Sequence, residues 1–210
     1  MKLLMSILIY VLPWMLMAQT VEQLDFVAPA EGDYAAVQKG TQWGFIDASG
    51  QLVVPFRNDL VAYANEATDT DLGVAGQMYP VLLEDRSIVY RIKDGIAYYG
   101  FIDATGNVII EPQYLNVTNF KNGLALVLEL EERVLGRNDP LGKRVVSYRY
   151  NVALIDREGT VQKYLGGPFP IVLTADKLKE APPIAAKDVS DHLIAVRQVD
   201  NSWSVFAIND

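Results

Sequence analysis

The chain of 210 residues contains no cysteine and a single histidine, His192. The first absence removes disulfide frameworks, thiolate metal sites and cysteine nucleophiles. The second leaves no histidine cluster for a metal, and His192, just before an apolar stretch, reads as a strand-edge residue. Basic residues are outnumbered, with 18 Lys and Arg against 26 Asp and Glu and a formal charge of −8. Such a chain repels phosphate backbones, so nucleic acid is not an expected partner. No glycine-rich phosphate loop opens a helix, and no Gly-x-Ser-x-Gly elbow occurs. Half the residues are hydrophobic, and the length suffices for a sizeable core in one domain.

Lys2 precedes an uncharged, mostly apolar stretch over residues 3–17, which ends at Ala18 before polar Gln19 and Thr20. That layout is expected of a secretory signal peptide over residues 1–18. The stretch falls short of the ~20 residues a spanning helix needs. With no cysteine after it, lipid anchoring is excluded, and no later stretch is apolar enough to span. The expectation is an exported chain, periplasmic or extracellular, with residues 19–210 as one domain.

Gly44-Phe45-Ile46-Asp47 recurs as Gly100-Phe101-Ile102-Asp103. Both copies continue through two residues, a glycine, an apolar triplet and then Pro55 or Pro112. Weaker copies begin at Ala153, as Ala153-Leu154-Ile155-Asp156, and at Phe206, as Phe206-Ala207-Ile208-Asn209. The four starts stand 56, 53 and 53 residues apart. Near-constant spacing marks a four-unit repeat architecture.

An apolar strand is expected ahead of each start, over 34–37, 80–83, 124–127 and 193–196. Residues 87–92 alternate and turn at Lys93-Asp94-Gly95 into 96–99, a strong hairpin signal that sets Tyr90 opposite Tyr98. In the third unit, 124–134 is expected to pair with 144–155 across 136–142. Each unit then reads as a three-stranded antiparallel meander. In its Asp-x-x-Gly turn the carboxylate accepts backbone N–H groups and glycine takes positive φ. Pro55 and Pro112 are expected to end the third strand. Residues 57–76 read as irregular, and 174–181 as one or two helical turns capped by Thr174.

The pattern Trp43-Gly44-Phe45-Ile46-Asp47, with Tyr99-Gly100 as its conservative variant and Gly123-Leu124-Ala125-Leu126-Val127 as its upstream strand, resembles the bacterial WG repeat. The clear resemblance covers roughly residues 30–56 and 98–127. It implies a secreted or surface β-repeat protein and no catalytic residues.

Asp47, Asp103 and Asp156 recur because the turn recurs, so a structural role is expected for them. Asp69-Thr70-Asp71-Leu72-Gly73 has Pro80 where a calcium loop needs its glutamate, and reads as a solvated loop. The third hairpin draws more interest, with Arg133, Arg137, Lys143, Arg144 and Arg149 in an acidic chain. Tyr148 and Tyr150 share the face opposite Arg149. Arg137, Lys143, Arg144, Tyr148, Arg149 and Tyr150 are therefore the candidate binding residues for a protein or envelope partner. The competing account is a hairpin whose charges discourage edge-to-edge aggregation.

The fold expected is all-β, with tandem three-stranded meanders in an open solenoid-like array; a four-bladed propeller is the alternative. No metal or cofactor is required. The function expected is a noncatalytic binding or scaffold module of the bacterial cell envelope or exterior. A carboxylate enzyme such as a glycoside hydrolase is the alternative, needing two carboxyl groups about 5–10 Å apart from different repeats. A purely structural role is a third.

Overall fold

A computed structural model describes residues 21–62, 72–74, 78–138, 142–190 and 192–208. The expected signal peptide and the acids of the 69–73 loop lie outside them. The chain forms β1 (Phe26–Val27), β2 (Tyr34–Lys39), β3 (Gln42–Asp47), β4 (Leu52–Arg57), β5 (Ser87–Lys93), β6 (Ile96–Ile102) and β7 (Val108–Tyr114). It continues through β8 (Leu124–Asn138), β9 (Lys143–Asp156), β10 (Val161–Ile171), β11 (Ala186–Ser190), β12 (Leu193–Arg197) and β13 (Trp203–Ala207). Among the described residues four antiparallel sheets result, in the orders β1-β2-β3-β4, β5-β6-β7, β10-β9-β8 and β11-β12-β13. These are units 1 to 4. Among the described residues no helix is long and apolar enough to cross a membrane.

Register equates the units residue by residue. Val37 faces Gly44 and Ala36 faces Phe45 in unit 1, as Val89 faces Gly100 and Ile88 faces Phe101 in unit 2. In unit 4 Val196 faces Ser204 and Ala195 faces Val205. Trp203-Ser204 thus occupies the place of Trp43-Gly44, two residues before the start expected at Phe206. Unit 4 reaches three strands by having β11 ahead of the hairpin, where unit 1 has β1.

Side chains alternate between the two faces of each sheet, and in units 2 and 3 each face packs on a different neighbour. Phe45, Ala36 and Val54 of unit 1 share a core with Val89 and Ile102 of unit 2. Phe101, Ile88 and Ile110 on the opposite face of unit 2 pack against Val127, Ala153 and Ile155 of unit 3. Leu126, Leu154 and Val152 of unit 3 then meet Ile194, Val196 and Phe206 of unit 4. Call the face bearing Phe45, Phe101, Leu154 and Val205 the leading face, and its opposite the trailing face. Among the described residues no sheet closes on itself and no core joins unit 4 to unit 1. The array is open, as expected, and not a propeller.

Successive units are also joined by chain and turn. After β4 the chain bridges Leu60 to Val89, and after β7 it bridges Val117 to Val127, so each third strand leads into an edge strand of the next sheet. The Asp103-x-x-Gly106 turn sits beside Val54, and the Asp156-x-x-Gly159 turn beside Ile110 of the preceding unit. Arg57 donates to the Gly106 carbonyl at 2.7 Å, and Arg86 to the Arg157 carbonyl at 3.2 Å.

The structure differs from expectation in four local details. The first strand of unit 2 is β5, not 80–83, because Glu84 and Asp85 both take positive φ (50° and 59°) and turn the chain between Leu83 and Arg86. Tyr90 pairs with Tyr99, and Tyr98 with Arg91, so Tyr90 and Tyr98 lie on opposite faces. Pro55 and Pro112 lie inside β4 and β7, where the register slips, rather than at their ends. Such bulges tolerate the missing N–H. Residues 174–178 form one turn, in which the Thr174 carbonyl accepts N–H bonds from Lys177 and Leu178.

Candidate functional site

The β8–β9 hairpin outgrows its sheet. It pairs from Leu124 opposite Asp156 out to Asn138 opposite Lys143, with a bulge between Val134 and Gly136. The third strand, β10, accompanies β9 only between Tyr148 and Ile155. Beyond that line two strands project alone as an arm, which takes residues 136–138 of the loop expected at 136–142 into β8.

The six candidate residues separate on this arm. Tyr148 and Tyr150 share a face, opposite Glu132 and Leu130. Tyr150 stacks on Phe169 with ring centroids 5.2 Å apart and packs against the core, where burial pushes its hydroxyl pKa up. It also walls an open cleft of about 500 Å³ with Ile171 and Leu178. Tyr148 hydroxyl donates toward Glu132 Oε2 at 3.4 Å, while Arg144 approaches Oε1 of the same carboxylate at 3.7 Å. Arg149 pairs with Glu131 at 3.2 Å. Arg137 and Arg144 stand opposite each other, and Lys143 opens β9. The base of the arm is therefore structural or ion-paired, and its tip carries the cations.

Sequence reasoning missed the apolar part of the tip. Val134, Leu135 and Val145 are 52%, 60% and 43% exposed. The signal was the adjacent pair Val134-Leu135 before Gly136, where strand alternation breaks.

The recurring aspartates are held by their own turns. Asp47 Oδ1 accepts the N–H groups of Ser49 and Gln51 at 2.9 and 3.0 Å. Asp103 does the same with Thr105 and Asn107, both at 2.9 Å, and Asp156 with Glu158 and Thr160 at 3.1 and 2.8 Å. Among the described residues no group of three His, Asp or Glu side chains is placed to hold a metal.

The family model for the WG containing repeat matches residues 43–59 and 99–129. The chain carries WG repeats. Neither the curated proteins nor the solved structures hold a significant match.

The geometry explains the glycine of the WG pair. A Cβ on Gly44 would lie 2.8 Å from the Val54 carbonyl oxygen, and one on Gly100 only 2.3 Å from that of Ile110. The bulged third strand crosses the middle strand there and leaves no room for a side chain. In the WG units the aromatic partner lies on the leading face, where Tyr99 is buried and Trp43 packs edge-on to Phe26. The arm beyond Glu129 lies outside both matched segments and is an elaboration of unit 3.

Proposed function

We propose that this WG-repeat domain is a noncatalytic binding or scaffold module of the bacterial cell envelope or exterior, and that it holds a protein partner by the β8–β9 arm. The observation that carries the reading is the arm's tip. Val134, Leu135 and Val145 stand in solvent beside Arg133, Arg137 and Arg144, although the rest of the chain is acidic. Apolar side chains flanked by arginine are the composition of binding hot spots. The partner that fits is a protein with an apolar groove rimmed by carboxylates. A noncatalytic role agrees with aspartates whose Oδ1 atoms are engaged in turns.

Photo-crosslinking from position 135 in cells tests this reading. The expected result is one protein adduct, whose purified protein then binds wild type and loses at least about tenfold in affinity for Leu135→Ser/Val145→Ser. Absence of an adduct, or equal binding by that variant, would overturn it. Tyr150→Ala serves as contrast, lowering stability by about 2–3 kcal/mol through the lost stack on Phe169. Fusing the first twenty residues to a reporter active only outside the cytoplasm tests export.

A further inference from the structure

Each leading face in the array is covered by the trailing face of the next unit, except one. The leading face of unit 4 bears Leu193, Ala195, Arg197, Trp203 and Val205 from β12 and β13, with Lys187 from β11. Val205 is 58% exposed and Trp203 44%, whereas Phe45 and Phe101, the equivalents of Val205, are 1% and 0% exposed. Lys187 Nζ lies 4.5 Å from the Trp203 ring centre. Among the described residues none of its side chains joins a core cluster, and only Ala195 is buried. At the other end the trailing face of unit 1 presents Val27, 53% exposed, with Ala35 and Ile46 half-buried and Val37 between them fully buried.

We propose that the leading face of unit 4 receives the trailing face of unit 1 from a second copy of this chain, head to tail. Two observations choose this occupant. The contact continues an interface the chain builds three times within itself, always leading face on trailing face. The charge of the unit 4 face bears on the choice as well, since it carries Lys187 and Arg197. A symmetric pairing of two unit 4 faces would instead oppose cation to cation. Head-to-tail contact is heterologous and leaves a free end on every copy until a ring closes, so association grows with concentration.

Sedimentation velocity of the purified protein from micromolar to millimolar concentration tests the proposal, with Val205→Glu and Val27→Glu as single variants. Both positions are exposed, so each variant is expected to melt as wild type does. Wild type is expected to form progressively larger species. Each variant places a charge on one end of the contact and should weaken self-association at least about tenfold. Mixed together, the two variants retain one intact pair of ends and should stop at a dimer. A wild type that stays monomeric throughout would sink the proposal. So would a Val27→Glu protein that self-associates like wild type, which is the behaviour of symmetric unit 4 pairing.

Discussion

The Glu84 carboxylate accepts the Gly123 N–H at 2.8 Å, clamping the opening turn of unit 3 from the opening turn of unit 2. The same carboxylate accepts the Asn122 N–H at 2.6 Å and a bond from Arg157 at 3.1 Å. Three donors from one unit thus converge on one side chain of another. Glu84→Ala strands these donors in a partly buried junction. The expected loss is about 1–3 kcal/mol, read as a lower urea midpoint at unchanged slope.

The two WG-pair glycines differ in how tightly the bulged strand crosses them. A Cβ on Gly44 meets one backbone oxygen at 2.8 Å, whereas on Gly100 it meets Ile110 O at 2.3 Å and Pro112 N at 2.6 Å. Backbone atoms pinned in a ladder do not yield as a side-chain end does. Gly44→Ala should cost about 1–3 kcal/mol, and Gly100→Ala clearly more. Equal thermal shifts for the two variants would contradict this ordering.

Acid stability is tied to the turn carboxylates. At Asp103 burial works against the charge, but bonds from the Thr105 hydroxyl and the Asn107 and Thr105 N–H groups outweigh it and hold the pKa at about 2. A carboxyl depressed on folding contributes stability fully above its unfolded pKa of 3.8 and loses it as pH falls toward 2. The melting temperature of Asp103→Asn should therefore lie below wild type at neutral pH. The gap should narrow between pH 4 and 2. A gap constant with pH would show that the carboxylate charge contributes nothing.

The repeat was legible because turn chemistry writes itself into sequence: Asp47 and Asp103 need a glycine three residues on, and Gly44 and Gly100 need to be glycine. Asp94-Gly95 likewise announced the β5–β6 turn. Glu84-Asp85 did not, since no glycine marks it and the turn is held by contacts with unit 3 instead. The start of unit 4 was misplaced for a related reason. Ser204 and Ala207 replace the glycine and aspartate that mark the first two copies, and only strand register reveals the equivalence. At the arm, charge and aromatic content picked out Arg137, Lys143 and Arg144 near the tip together with Tyr148, Arg149 and Tyr150 at its base. Tyr150 belongs to the core because of Phe169, nineteen positions away in sequence.

Sheets that share cores with both neighbours have a consequence for cooperativity. Unit 2 contributes to three cores, unit 3 to two, and units 1 and 4 to one. Opening then proceeds by fraying from the outer sheets, and amide exchange should be slowest in β6 and β9. A protein of this design gains resistance to unfolding by acquiring neighbours, so whatever covers an outer sheet turns an end into a middle.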